Sequence, residues 1–245
     1  MVYFAKMDFK KYLLPVLEFL MALAVMEIFI AIGIIGGMGG LVSTAISMYL
    51  IIMLLMVIIM LGQSGKVFLG DLRNAQFYPE CKKNGLTSVK ILLDMTVLYA
   101  LILGVMIALY VGLMSLDIMW IRSAFPEIHA DIEKIISEVI PPNNSFSLVM
   151  ASILDYFVMT IAFVALVYFC VTMAYNIFTK TRYCGILAGF FAMVFGYFMV
   201  RVTLIVVKVE DRIQYHLYCA LLLAGFAILF LAVTHASVRK HQWKD

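Results

Sequence analysis

Charge is what this sequence has least of. Of 245 residues, 13% are Asp, Glu, Lys or Arg, while 65% are hydrophobic and the mean hydropathy is +1.05. Soluble domains carry roughly 45–50% apolar and about 25% charged residues, so this composition excludes a soluble domain. A net charge of +3 with no basic block argues against a nucleic-acid partner. Proline is also scarce. Of the five, Pro79, Pro126, Pro141 and Pro142 lie in polar segments and only Pro15 borders an apolar run. The apolar runs are therefore free of the residue that most often breaks a helix. The four cysteines, Cys81, Cys170, Cys184 and Cys219, form no C-x-x-C pair, so neither a disulfide framework nor a metal site is expected.

Catalytic signatures are missing as well. No H-E-x-x-H or G-x-S-x-G occurs, which leaves an intramembrane hydrolase without machinery. The stretch Gly62–Val67 approaches a phosphate-binding loop. That loop needs a glycine where Met60 stands and a serine or threonine where Val67 stands. The chain is thus not expected to be an enzyme or to hold a cofactor; any ATP and magnesium would sit on a separate polypeptide. Acidic and histidine side chains at Glu127, His129, Asp131 and Glu133 cluster on one outer segment, but as the polar face of a helix rather than a metal site. His216, His235 and His241 fall near span ends and read as interfacial.

What is present is apolar length. A hydrocarbon core of about 30 Å takes roughly 20 helical residues. Six runs meet this: 13–35, 41–61, 91–113, 149–178, 184–207 and 217–238. The fold class is all-α, a polytopic membrane protein in one domain over 1–245. Residues 1–12 place Val2, Ala5, Phe9 and Tyr12 on one helical face, which predicts a short interfacial helix. Although Lys6, Lys10 and Lys11 precede the first run, Glu18 and Glu27 interrupt it, so it reads as a retained span rather than a signal peptide. Gly36-Gly37-Met38-Gly39-Gly40 predicts a tight turn between spans one and two. Pairs Gly33/Gly37, Gly36/Gly40 and Gly185/Gly189 have the spacing that permits close helix contact in lipid.

Thirteen of the eighteen basic residues fall in the flanks and loops that are cytoplasmic if both termini are inside, which orients the chain by the positive-inside rule. The loop 114–148 is then extracellular. Within it Ile128, Ile132, Ile135, Ile136, Val139 and Ile140 mark an amphipathic helix bounded by Pro126 and Pro141-Pro142.

Two sets of residues stand out functionally. The first is the polar segment 63–90, which combines Lys66, Arg73, Lys82, Lys83 and Lys90 with Phe77 and Tyr78. A bare connector does not need aromatics, and the pattern predicts docking of a cytoplasmic partner. The second is Glu27, Asp155 and Arg201, charges inside apolar runs, where ionised groups are expensive and usually paired. At 1.5 Å per residue all three sit at one level in the outer half, about 21–25 Å from the inner side. Arg201 is expected to pair with Glu27 or Asp155, within one chain or across a dimer, as a gate or as a structural tie. Glu18 and Asp94 lie nearer the inner boundary.

This layout resembles the six-helix permease subunits of bacterial type-2-like ABC exporters. It shares an amphipathic N-terminus, a tight first hairpin, a basic-aromatic cytoplasmic loop, an amphipathic outer segment and a short basic tail. The stretch Tyr78–Asp94, TyrProGluCysLysLysAsnGlyLeuThrSerValLysIleLeuLeuAsp, looks like that family's entry into the third span. The smallest members, permeases for lantibiotics and phenol-soluble modulins, are closest in layout. The resemblance implies a homodimer in the bacterial plasma membrane, two copies of a separate ATPase and an amphipathic peptide cargo. It also implies a coupling helix over about 71–84, with Phe77 and Tyr78 as anchors and Arg73, Glu80, Lys82 and Lys83 as rim. Lys180 and Arg182 would make a second, smaller contact. Pro79 departs from a continuous coupling helix. Two other classes remain open from the residues themselves: an ion-coupled secondary transporter and a non-transporting anchor or sensor.

Overall fold

The computed structural model describes residues 2–75, 88–125, 146–177, 181–209 and 211–242. Six helices account for almost all of them: α1 (Val2–Ile35), α2 (Gly39–Ala75), α3 (Ser88–Ala124), α4 (Phe146–Ile177), α5 (Thr181–Val206) and α6 (Arg212–Gln242). No strand occurs among the described residues. Each helix contains a segment long and apolar enough to cross a membrane: Pro15–Ile35, Gly39–Leu69, Thr96–Ala124, Met150–Ile177, Tyr183–Val206 and Arg212–Ser237. A helix satisfies every interior backbone group within itself, which is why runs of this composition adopt it in lipid.

Three boundaries differ from the hydropathy reading. Residues 2–12 continue into the first span as one helix, α1, with Pro15 inside it, rather than forming a separate interfacial helix. Proline removes one hydrogen bond and crowds one carbonyl, and the flanking turns carry the rod across that gap. α2 runs on through Gln63–Ala75, so the first part of the expected loop 63–90 is helix. α3 continues to Ala124, eleven residues beyond the expected end at Leu113. α2 and α3 have 37 residues each, or about 55 Å of helix. That exceeds a core of about 30 Å, so hydropathy alone does not mark where they stop. The expected outer helix at 126–142 and residues 76–87 lie outside the described residues.

The chain divides into two compact units. The smaller comprises 12–59 and 103–146, most of α1, the first part of α2 and the later part of α3. Its α1–α2 hairpin turns as the glycines predict. Met38 N–H donates to the Gly33 carbonyl at 2.8 Å and Gly37 N–H to Ile34 at 3.3 Å, with Gly37 at φ 65°. This is a Schellman closure, in which a left-handed residue lets the chain reverse. A Cβ on Gly33 would stand 2.7 Å from Val42 Cγ2, so the missing side chain is what lets α2 start against α1. Leu23, Met26, Ile30, Ala45, Tyr49 and Tyr110 form the buried core here.

The larger unit comprises 1–11, 60–102 and 147–245. α4 is its centre: 56% of its spanning window is buried, against 17% for α5 and 33% for α6. Ala162, Ala165, Leu166 and Cys170 on α4 pack with Met199 of α5 and with Leu223, Ala227 and Phe230 of α6. Phe169 joins the three helices through Phe195 at 5.4 Å and Phe230 at 5.2 Å. Buried threonines 172, 203 and 234 return their hydroxyls to carbonyls one turn back, at 2.7–2.9 Å, which satisfies them without a partner helix. A Cβ on Gly185 or Gly189 would meet nothing within 4 Å, so among the described residues they make no close helix contact.

Candidate functional site

The site begins with an acidic residue that hydropathy misplaces. Asp117 lies on α3 within the spanning segment, not in a loop, and is only 7% exposed. Tyr110, seven residues earlier, shares its face, because seven residues close two helical turns. Across from them, α1 supplies Glu27 and α2 supplies Tyr49. The Tyr49 hydroxyl donates to Glu27 Oε1 at 3.1 Å. The rings of Tyr49 and Tyr110 lie 4.4 Å apart, and the Asp117 carboxyl is within hydrogen-bond reach of Glu27. All four residues belong to the smaller unit, and both tyrosines are almost fully buried.

The accounting of polar atoms in this cluster does not close. Asp117 Oδ2 and Tyr110 Oη are buried with no hydrogen-bond partner. Buried polar groups are nearly always satisfied, and an exception calls for a reason. The cluster offers two carboxyls, one committed phenol and one free phenol. Chemically it presents an acceptor and a donor–acceptor to a small guest bearing hydrogen or positive charge.

The larger unit holds a third carboxyl within a span, paired differently. Asp155 Oδ2 on α4 lies 2.8 Å from His216 Nδ1 on α6, with side chains 14% and 22% exposed. His216 is therefore an Asp155 partner and not a bare interfacial residue. Its Nδ1–H donated to the carboxylate leaves Nε2 as the ring's other polar atom.

Within the larger unit, the expected pairing of Arg201 with Asp155 is not what forms. Asp155 takes His216, and Glu27 takes Tyr49 and Asp117. Arg201 is exposed on α5, its guanidinium 5.7 Å from the centre of the Tyr197 ring, and makes no ion pair among the described residues. A guanidinium over an aromatic face is held by the ring quadrupole, which is a partner available on its own helix one turn away.

The expected docking residues divide. Arg73 falls in the last turn of α2 and Arg182 in the first turn of α5. Phe77, Tyr78, Glu80, Lys82, Lys83 and Lys180 lie outside the described residues. What the structure adds is the segment leading to them. Ser64, Val67 and Phe68 are buried, and Phe68 stacks on Tyr168 of α4 at 4.4 Å. A Cβ on Gly65 would come within 3.0 Å of Val167 and 3.2 Å of Val171. Tyr99 of α3 donates its hydroxyl to the Met60 carbonyl. The polar end of α2 is thus clamped in the larger unit by α4 and α3.

No group of three or more His, Cys, Asp or Glu suited to a metal occurs among the described residues. Cys170, Cys184 and Cys219 are buried and form no disulfide among the described residues. An apolar groove of about 600 Å³ runs along the end of α5 and the face of α6, with Val207, Leu222 and Phe226 among its walls. Lys208 and Tyr218 bring the only polar side-chain tips to its otherwise apolar lining. Comparison with protein-family models, curated proteins and solved structures gives no match.

Two signals for the missed residues were in the sequence. From Gly112 to Ile121 the chain stays apolar apart from Ser115 and Asp117, so the helix has no reason to end at Leu113. The seven-residue spacing of Tyr110 and Asp117 marks one face. Nothing in the sequence pairs that face with Glu27; this needs the fold.

Proposed function

We propose that this chain is the membrane-spanning permease subunit of an ATP-driven exporter of the type-2-like ABC kind. In this reading it sits in a bacterial plasma membrane with both termini cytoplasmic. Two copies assemble with two copies of a separate ATPase, and the cargo is an amphipathic peptide. The layout resemblance motivates the family. The observation that carries the mechanism is the clamped end of α2.

A partner that pushes on a flexible loop moves only the loop. Here residues 71–75, the described start of the proposed docking segment, belong to a helix whose base is locked by Phe68 on Tyr168 and by Gly65 against Val167 and Val171. Displacement of the polar end would reach α4, the central helix of the larger unit, without slack. Nucleotide-driven closure of the ATPases would then bias the spans between inward- and outward-open populations. Exposed apolar side chains along α5, such as Ile186, Met193 and Tyr197, suit contact with lipid or a second copy.

Co-purification of the tagged chain with its ATPase tests the proposal. The double substitution Phe77→Ala, Tyr78→Ala should abolish co-purification and ATP-dependent peptide efflux from inverted vesicles while the permease itself remains folded. Full assembly and efflux in that variant would defeat the docking assignment.

The carboxyl cluster favours a second reading, an ion-coupled transporter with Glu27 and Asp117 as its coupling groups. Purified chain in vesicles, given an ion gradient and no ATPase, separates the two. Gradient-driven cargo movement would establish the second reading against the first.

A further inference from the structure

We infer that Glu27 and Asp117 form a proton-binding site in the smaller unit, with one exchangeable proton held between the two carboxyls and released when α1 and α3 separate. Two observations lead there independently. The first is the convergence of the two carboxyls on one pair of phenols: Tyr49 donates to Glu27 Oε1 at 3.1 Å and its ring lies 4.4 Å from that of Tyr110, on the same face of α3 as the buried Asp117, which places Asp117 within hydrogen-bond reach of Glu27. Two carboxylate oxygens approach to hydrogen-bond distance only when a proton lies between them, because like charges repel strongly in a low-dielectric interior. The second is the pair of buried, unpartnered atoms, Asp117 Oδ2 and Tyr110 Oη. They stand ready to receive a donor that arrives and leaves.

Among the described residues, the groups facing the pair are few. α1 contributes Glu27 itself, α2 contributes Tyr49, and α3 contributes Tyr110 and Asp117. Glu18 on α1 and Arg122 on α3 are exposed. Among the described residues no lysine, arginine or histidine pairs with either carboxyl. Among the described residues the site thus has no fixed cation to neutralise it, which leaves that role to a mobile one.

A proton fits better than a metal. Divalent cations take six or more oxygens, or a set of histidine and thiolate ligands, and no such group occurs among the described residues. A metal would also sit between the carboxyls and hold them apart. The proton makes the contact conditional. Loaded, the pair ties α1 to α3; emptied, two carboxylates repel and the tie opens. One proton per chain would then enter or leave with each opening.

Infrared spectroscopy of the full chain in lipid nanodiscs at neutral pH tests this without any ATPase. The expected result is one protonated-carboxyl stretch that is lost in Glu27→Gln, in Asp117→Asn and in the double variant, and is kept in Asp155→Asn. In the unsubstituted chain, carbon-13 labelling of aspartate or of glutamate carboxyls should shift that band, so the assignment does not depend on a variant that folds. Absence of the band, its survival in the double variant, or its insensitivity to both labels would overturn the site. So would its disappearance on adding sodium or potassium alone, which would make the guest a metal cation. Because the ATPase is not in the sample, either outcome leaves the exporter proposal to be decided by its own experiment.

Discussion

Two intramembrane acidic centres in one chain solve the same problem in opposite ways. Asp155 in the larger unit is given a basic partner, His216, at 2.8 Å across α4 and α6. Glu27 and Asp117 in the smaller unit are given each other and two phenols. A carboxyl with a base beside it is a fixed tie, complete within the protein. A carboxyl beside another carboxyl is complete only with a guest. Charge in a span therefore does not announce its role by type or depth. The role follows from what the neighbouring helix brings to it.

The comparison breaks most sharply at the fixed tie. His216→Leu strips Asp155 of its donor and leaves a carboxyl in the bundle unpaired. The pair is part-buried, and stripping a carboxyl of its donor there costs about 1–3 kcal/mol, so the variant should unfold earlier in a detergent–SDS titration. Adding Asp155→Leu to it should recover most of that loss, since two apolar residues leave nothing unpaired. In the smaller unit the corresponding change, Asp117→Leu, should destabilise by less than His216→Leu, because Glu27 keeps Tyr49 as donor. Equal losses in the two units would erase the distinction between tie and guest site.

The packing that positions each centre sharpens the contrast. Gly33→Leu forces a side chain into the 2.7 Å gap to Val42, and Gly65→Leu does the same against Val167 and Val171 at 3.0–3.2 Å. Overpacking of this kind costs about 1–3 kcal/mol. Each should lower the thermal midpoint of the detergent-solubilised chain, with Gly33→Leu also disturbing the Glu27–Asp117 infrared band and Gly65→Leu leaving it intact. Gly185→Ala, where nothing lies within 4 Å, should leave the stability of the isolated chain unchanged.

The sequence makes the helices legible and the site only in fragments. Six runs of apolar residues exceed the length of the hydrocarbon core, and lipid leaves them no alternative to helix, so the all-α membrane class follows from composition. The Gly36–Gly40 turn follows too, since positive φ at Gly37 needs glycine. Helix ends do not follow. Gln63-Ser64-Gly65 looks like a loop by polarity, yet Ser64 returns its hydroxyl to the Leu61 carbonyl at 2.8 Å and Gly65 fits against α4, so α2 passes through. The same blindness hid Asp117, because a single acid amid Met and Leu lowers hydropathy without ending a helix. Glu27 and Asp155 were visible as charges in apolar runs. Their partners were not, since depth along a span says nothing about azimuth, and azimuth decides that His216 rather than Arg201 faces Asp155.

The smallest effects separate the two phenols. Tyr49 and Tyr110 pack ring against ring at a tilt, are almost equally buried, and differ in one respect: the Tyr49 hydroxyl donates to Glu27 at 3.1 Å, while the Tyr110 hydroxyl has no partner. Tyr49→Phe removes a hydrogen bond to a carboxyl and should cost about 1–2 kcal/mol. Tyr110→Phe removes a hydroxyl that is buried unsatisfied, which should be neutral or stabilising by a few tenths of a kcal/mol up to about 1 kcal/mol. A pair of SDS titrations on the two variants measures the difference directly. If Tyr110→Phe destabilises as much as Tyr49→Phe, a tightly held water already satisfies Tyr110 and Asp117 Oδ2, and the cluster is a closed structural network with no vacancy for a donor that comes and goes. If the two diverge as expected, the open hydroxyl is a real deficit, tolerated in the core because something else completes it.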